Sequence, residues 1–202
     1  FSESWFLSKD ENTWDTLSAR FGLKKKYLLY PAATWKHKNH LSLIRVLKKL
    51  REQEDDVELV CTGNKTEYFN EIQSVVDELD LSKAIHFLGI VSEADLIGLY
   101  KNSSLVVIPT LYEAGSGPLY EAMRYGIPVV CSDVTSLPET MGNNEFLFNP
   151  NNIEEMLTRI KQGLYDEEFR KRNVQNSHDR MKDLEKINYD ECFINTYKKL
   201  LS

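Results

Sequence analysis

Two kinds of hydrophobic pattern alternate along the chain. Short uninterrupted runs of apolar residues are typical of buried strands, and apolar residues that recur three and four positions apart are typical of helices burying one face. Six short runs predict strands at residues 27–30, 57–61, 85–88, 105–108, 127–130 and 145–148. Between the first four runs lie helical stripes, with apolar positions spread over residues 43–50, 69–79 and 96–100.

The order of these elements predicts the fold class. Strands of continuous Val, Ile and Leu joined by helices form parallel sheets that are covered on both faces. We therefore expect an α/β domain with a Rossmann-like, doubly wound parallel sheet of about six strands and helices on both faces. Ligands of such sheets bind at the carboxyl ends of the strands, where loops and helix N-termini converge.

The whole chain, residues 1–202, is predicted to form a single domain. After Pro150 the alternation stops, and the C-terminal tail of residues 151–202 is predicted to hold helices at 153–164, 167–181 and 189–201. Residues 1–26 precede the first strand, and because the chain does not begin with Met, we expect them to lead in from a missing N-terminal part.

The composition restricts the kinds of binding partner and the cellular compartment that we expect. The chain has 25 Lys and Arg against 31 Asp and Glu, a net charge of −6. This balance argues against nucleic-acid binding, because that affinity comes from basic residues neutralising phosphates. No apolar run approaches the roughly 20 residues of a transmembrane helix. We expect Cys61, Cys131 and Cys192, which stand far apart, to be buried reduced thiols of a cytoplasmic protein.

The most informative stretch follows the fourth predicted strand and opens a helix. Gly115 and Gly117 allow backbone to approach a ligand, and Pro118 suits a first helical position. Exposed amides at such a helix start favour phosphate. Glu121 is predicted in the first helical turn, within reach of a ribose hydroxyl, and Glu113 on the loop before it. Alternatively, Glu121 only complements the helix dipole and the glycines only shape a turn.

A second stretch joins the first predicted strand to the next helix. Its lysines, Lys36 and Lys38, stand where a positive charge would hold a diphosphate. The alternative is a solvated loop with a helix cap at Asn39, and for Lys36 we favour that alternative. His37 and His40 lack a third metal ligand nearby in the sequence, so we predict no metal site.

Several short motifs follow one another along the chain in an order that is typical of a known family. Glu113 and Glu121 stand eight positions apart before a small-residue turn and a Pro-Val-Val strand. Weaker motifs are Tyr30-Pro31-Ala32, His37-Lys38-Asn39-His40, Thr62-Gly63 and residues 86–91. Together these motifs resemble the C-terminal lobe of retaining GT-B glycosyltransferases, the family called glycosyl transferases group 1. The resemblance extends in order from Tyr27 to Leu201.

This resemblance implies a lobe that binds a nucleotide-sugar donor. Lys38 would hold the diphosphate and Glu113 would face the donor sugar, and these two residues are the catalytic candidates. Glu121 would bind ribose hydroxyls, and backbone near Ile90 and Val91 would contact the base. The nucleotide-binding set implied by the resemblance is Glu121, Gly115, Ser116, Gly117, Pro118, Leu119, Ile90, Val91 and Gly63. Neither a metal nor a cofactor other than the donor substrate is implied.

The chain departs from the family pattern in two places. The family usually carries an arginine five or six residues before the lysine, where this chain has Ala33 and Ala32. The bulky residue that usually follows the first glutamate's glycine is also replaced, in the sequence Ala114-Gly115-Ser116-Gly117. One diphosphate contact is therefore missing or comes from elsewhere, and the sugar pocket has a changed shape.

We expect the donor-binding lobe of a cytoplasmic hexosyltransferase that retains anomeric configuration and serves polysaccharide biosynthesis. A missing N-terminal lobe would hold the glycan or lipid-linked acceptor, and any contact with the inner membrane face would be made through that lobe. The fragment alone is expected to be inactive. One alternative is a non-catalytic nucleotide-sugar-binding module, which the missing arginine supports. Another is one lobe of a GT-B-type sugar epimerase, with carboxylates and a histidine from the missing half.

Overall fold

The computed structural model describes residues 12–24, 26–53, 56–186 and 197–198. Within these ranges, six parallel strands form one sheet in the order β3-β2-β1-β4-β5-β6. The strands are β1 (Tyr27–Pro31), β2 (Glu58–Thr62), β3 (Ile85–Gly89), β4 (Leu105–Ile108), β5 (Val129–Ser132) and β6 (Leu147–Phe148). The predicted Rossmann-like parallel sheet is confirmed.

Helices connect the strands and cover the sheet. They are α1 (Trp14–Phe21), α2 (His40–Arg51), α3 (Phe69–Glu78), α4 (Glu93–Asn102), α5 (Gly117–Arg124), α6 (Leu137–Met141), α7 (Ile153–Tyr165) and α8 (Glu167–Glu185). Several begin at a polar side chain that accepts a hydrogen bond from a first-turn amide, as Ser92 does for α4 and Asn152 for α7. Such caps satisfy amides that the helix leaves unpaired.

The core lies between the sheet and its helices. Every residue of β1, β2, β4 and β5 is buried, whereas most of β3, at the edge of the sheet, is half-buried. Gly163 of α7 faces Leu105, and a Cβ added there would lie 2.7 Å from the leucine side chain. Helix α7 therefore approaches the sheet more closely than a larger residue would permit.

Part of the segment before β1 belongs to this packing. Helix α1 is capped by Thr13, ends at Gly22 in the left-handed conformation and buries Leu17. Its Arg20 forms an ion pair with Asp95 of α4, with 2.7 Å between nitrogen and oxygen. Residues 12–24 thus include a helix that the hydrophobic pattern did not predict.

Two predicted strand boundaries are wrong. Strand β5 starts at Val129 instead of residue 127, because the Ile127 amide donates to Ala122 at the end of α5 and Pro128 has no amide to give. Strand β6 covers only Leu147–Phe148, because residues 144–146 form a 3₁₀ turn capped by Asn143. The short helix α6 was not predicted.

Two of the three cysteines and part of the C-terminal tail lie within the described residues. Cys61 and Cys131 are buried free thiols, as predicted. Cys192 and all but residues 197 and 198 of the predicted helix at 189–201 lie outside the described residues. In the described part of the chain, no helix has the length and apolar character needed to cross a membrane.

Candidate functional site

The candidate residues gather at the carboxyl ends of β1 and β4. These two strands are neighbours at the centre of the sheet, and the strand order runs in opposite directions from them. The connections that leave them therefore lead in opposite directions along the sheet, and we call the place between these two strand ends the crevice. In open α/β sheets this topological switch point is where ligands bind.

The loop after β1 is fixed from three sides. A 3₁₀ turn, Lys36–Lys38, leads to Asn39, which has a φ of 59° and begins the connection to α2. Asn39 stands at the N-cap position of α2, as the alternative predicted, but its side chain makes no capping hydrogen bond. Instead, the Asn39 side-chain nitrogen donates to the carbonyl oxygens of Pro109 (2.9 Å) and Pro150 (3.1 Å). The buried Tyr30 hydroxyl donates to the Lys38 carbonyl oxygen at 2.8 Å.

The loop after β4 is hydrogen-bonded to the loop after β1. The Thr110 hydroxyl and the Leu111 amide both donate to the carbonyl oxygen of His37, at 3.0 and 2.7 Å. This connection brings the Lys38 ammonium against the Glu113 carboxylate in an ion pair. Their side chains are only 19% and 15% exposed, so the two predicted catalytic residues form a partly desolvated charge pair.

Glu113 is also held through its backbone. The Thr135 hydroxyl, from the segment after β5, accepts from the Glu113 amide at 3.2 Å and donates to the Glu113 carbonyl oxygen at 2.5 Å. The Ser136 hydroxyl donates to the same carbonyl oxygen at 2.9 Å. Three strand ends thus contribute to the position of one carboxylate.

The glycine loop leads into α5 as predicted, with different roles for its members. Gly115 and Gly117 are exposed, and a Cβ added to either would meet nothing within 4 Å. Ser116 is buried, and its hydroxyl accepts from the Leu119 amide at 3.4 Å as the helix cap. The Leu119 side chain lies in the core. Pro118 is second in the helix, one position later than predicted.

Glu121 lies in the second turn of α5, because the helix starts at Gly117 and has no acidic residue in its first turn. The predicted first-turn position is therefore wrong, as is a simple dipole role for Glu121. Its carboxylate accepts a 2.7 Å hydrogen bond from the buried Tyr100 hydroxyl of α4. Burial and the Glu121 charge raise the pKa of Tyr100 well above its usual range, so the phenol stays a donor.

The remaining candidates lie at the ends of β2 and β3. Gly63 has a φ of 110°, and a Cβ there would lie 2.8 Å from the Ala32 carbonyl carbon. Its amide donates to the Gly89 carbonyl oxygen at 2.8 Å, so Gly63 joins three strand ends through backbone contacts. Ile90 is 81% exposed and Val91 half-buried beyond the end of β3.

The two histidines near the end of β1 have different surroundings. His40 is buried between the rings of Tyr30 and Phe87, with ring centroids 4.8 and 6.4 Å away, whereas His37 is exposed. Burial lowers the pKa of His40 to about 4, so the ring is neutral at pH 7. Within the described ranges, no three metal-ligating side chains of His, Cys, Asp or Glu gather in one place.

Comparisons with known proteins identify the family of the chain. The family model of glycosyl transferases group 1 matches residues 16–180. The chain belongs to this family. The match covers the whole described sheet and both glutamates of the crevice, and the predicted family is confirmed.

Two similar proteins from bacteria are named mannosyltransferases. O-antigen chain mannosyltransferase B of Escherichia coli is 32% identical over 89% of this chain and 42% of that protein. O-antigen chain mannosyltransferase RfbU of Salmonella typhimurium is 31% identical over 68% of this chain and 38% of that protein. The chain therefore spans about 40% of the length of these relatives.

Solved structures share the fold of this glycosyltransferase-family chain. A glycosyltransferase from Rickettsia africae superposes with a TM-score of 0.77 at 21% identity, over 95% of this chain and 53% of that one. The C-terminal domain of a glycosyl transferase group 1 protein, LpcC, from Francisella tularensis gives 0.74 at 19% identity, over 93% of this chain and all of that one. The second comparison matches this chain to a single solved domain.

Proposed function

We propose that this chain is the donor-binding lobe of a glycosyltransferase that moves a mannosyl residue from a nucleoside diphosphate to a glycan acceptor. The observation that carries the proposal is the Lys38–Glu113 ion pair at the switch point of the sheet. There the Lys38 ammonium, which would bind a diphosphate, lies next to the Glu113 carboxylate, which would face a sugar. The mannosyl group is proposed because both curated relatives described above are named mannosyltransferases.

The donor would lie across the crevice between the loops after β1 and β4. Its diphosphate would approach Lys38 and the exposed backbone of Gly115 and Gly117, where added methyl groups would have free space. Amides at the start of a helix and the helix dipole favour this charge. The ribose would then reach Glu121, which Tyr100 holds in place.

The arrangement supports glycosyl transfer by stabilising charge as it develops. The bond between sugar C1 and the diphosphate oxygen breaks, and its electron pair goes to that oxygen. The acceptor oxygen bonds to C1, and its proton passes to the departing diphosphate. Lys38 would stabilise the leaving group, and Glu113 would face the positive charge that develops on the sugar. The reaction is proposed to retain the anomeric configuration of the donor.

A part of the protein beyond this chain is proposed to hold the acceptor. The relatives described above are more than twice as long as the matched segment, which leaves room for a second lobe. Nucleotide, phosphates and sugar would all meet side chains of the lobe described here. The acceptor hydroxyl, by contrast, has no evident place among the candidate residues.

The proposal is tested with the full-length protein, GDP-mannose as donor and a mannosylated oligosaccharide as acceptor. Transfer of mannose, with an α-linkage from the α-linked donor in the product NMR spectrum, is the expected result. Binding of the donor without transfer would favour the non-catalytic module, which the alanines in place of an arginine also favour. Conversion of the free nucleotide sugar without acceptor would indicate an epimerase.

A further inference from the structure

Thr135 combines an unfavourable backbone with an unusual set of contacts. Its φ is 50°, in the left-handed region that β-branched residues rarely adopt. Glycine would adopt the same conformation without strain. The side chain is exposed, so burial in the core does not explain a threonine at this position.

The contacts of the Thr135 hydroxyl supply a reason for the strained residue. The hydroxyl accepts from the Glu113 amide at 3.2 Å and donates to the Glu113 carbonyl oxygen at 2.5 Å. It therefore binds both backbone polar groups of one residue, 22 positions away in the sequence. Glycine would relieve the strain and lose both hydrogen bonds.

Glu113 depends on such contacts because its own loop has no regular structure. The neighbouring residues Tyr112 and Ala114 are exposed, and no helix or strand includes the segment. The Glu113 side chain is held by Lys38, and its backbone by Thr135 and Ser136. When a donor diphosphate engages Lys38, the lysine is shared between two anions, so the backbone contacts contribute more to where the carboxylate stands.

We infer that Thr135 is a positioning residue that holds Glu113 at the donor sugar through the Glu113 backbone. This inference rests on the proposed function. It makes the segment after β5 part of the sugar subsite without direct contact between Thr135 and the sugar. The nucleotide, which meets α5 and Lys38, should be unaffected by Thr135.

The experiment separates recognition of the sugar from recognition of the nucleotide. Three pairs of ligands, GDP and GDP-mannose, UDP and UDP-glucose, and ADP and ADP-glucose, are titrated by calorimetry into the wild-type chain. The pair that binds best is then used with Thr135→Gly and Thr135→Ser. Thermal unfolding of each variant is recorded alongside. Thr135→Ser keeps the hydroxyl, and Thr135→Gly removes it together with the strain.

Thr135→Gly is expected to unfold close to the wild-type temperature, because relief of the strain offsets the lost hydrogen bonds and the greater freedom of the unfolded chain. It should bind the nucleoside diphosphate within about twofold of wild type. Its affinity for the nucleotide sugar should fall by about tenfold, which is the size of effect expected when the Glu113 carboxylate loses one hydrogen bond to the sugar. In the full-length protein, kcat should fall by about 100-fold, the cost of misplacing a reacting group. Thr135→Ser should restore the sugar affinity and the turnover.

Three results would overturn the inference alone. These are an unchanged sugar affinity in Thr135→Gly, an equal loss in Thr135→Ser, and parallel losses of nucleotide affinity, sugar affinity and unfolding temperature. The last result would identify a purely structural contact. Failure of the wild-type chain to bind any ligand of the panel would instead contradict the proposed function, and the inference with it.

Discussion

At the scale of single residues, Lys38 and Glu113 are defined by the ion pair that joins them. Each neutralises the other in a partly buried place, and removal of either leaves an uncompensated charge. A bound diphosphate would give Lys38 a second negative partner. The charge on that partner grows as the sugar leaves, so the lysine interaction is stronger in the transition state than in the bound donor.

Lys38→Ala should therefore lower turnover more than donor affinity. We expect kcat of the full-length protein to fall by about 100-fold to 1,000-fold, as when one donor to a developing charge is removed. Lys36 lies two residues away and is exposed, so Lys36→Ala is the matched control, with an effect within about twofold. Steady-state kinetics of both variants provide the measurement. Equal damage from the two substitutions would mean that the loop acts only through general positive charge.

The glycines of the crevice divide into two kinds. A Cβ at Gly115 would meet nothing within 4 Å, whereas a Cβ at Gly63 would lie 2.8 Å from the Ala32 backbone at a φ of 110°. Gly63→Ala should therefore destabilise the chain by about 1–3 kcal/mol in urea unfolding. Gly115→Ala should leave stability unchanged and weaken nucleoside diphosphate binding by about tenfold, because the methyl group occupies the ligand's space. Unchanged affinity in Gly115→Ala would exclude a close approach of the diphosphate at this residue.

At the scale of elements, α2 begins at a histidine that is sensitive to pH. Burial, and to a smaller extent the nearby charge of Lys38, lowers the pKa of His40 from 6.5 to about 4. As the pH falls from 7 to 4, the unfolded chain takes up a proton at this site that the folded chain excludes. Folding stability therefore falls on acidification, by about 3 kcal/mol for this shift.

His40→Phe should remove much of this loss, because a phenyl ring can occupy the space between Tyr30 and Phe87 without titrating. Urea unfolding at pH 7, 6, 5 and 4 measures the slope. The exposed His37 serves as control, and His37→Ala should follow the wild-type curve. A His40→Phe variant with the wild-type slope would show that another group carries the acid sensitivity.

The elements also show which parts of the site a sequence can predict. The strand β4, the glycine loop and the start of α5 are local features, and the hydrophobic pattern and Pro118 indicated them. Lys38 and Glu113 are 75 residues apart in the sequence, and their pairing depends on β1 lying beside β4. Hydrophobic periodicity contains no information on which strands are neighbours.

Contacts made by buried or strained residues were missed for the same reason. The hydrophobic pattern predicts Tyr100 only as an apolar position of α4, yet its hydroxyl donates a hydrogen bond to the Glu121 carboxylate. Asn39 was predicted as a helix cap and stands at that position, yet its side chain donates to two proline carbonyl oxygens, after β4 and after β6. Thr135 carries no signal in the sequence, because its importance comes from a positive φ and a partner in another loop.

At the scale of the whole molecule, the described residues form one continuous core and a proposed half of a reaction site. The continuous core from β1 to α8 should allow the chain to fold by itself. Placement of the acceptor can account for about 7–11 kcal/mol of a barrier. We therefore expect the purified chain to give no sugar transfer with donor and acceptor, as measured by mass spectrometry of the acceptor. Sustained transfer at the rate of the full-length protein would show that the site is complete in this chain.

The central claim is that this lobe binds the donor through Glu121, Lys38 and the glycine loop. Calorimetric titration of the chain with UDP, GDP, ADP, dTDP and CMP tests it most directly, with Glu121→Ala as the variant. We expect one nucleoside diphosphate to bind at one site per chain. Folded Glu121→Ala should lose about 1.5–3 kcal/mol of that binding free energy, the value of a hydrogen bond to a charged group. Absence of binding by every nucleotide, or equal affinity in wild type and Glu121→Ala, would show that these residues do not form the donor site.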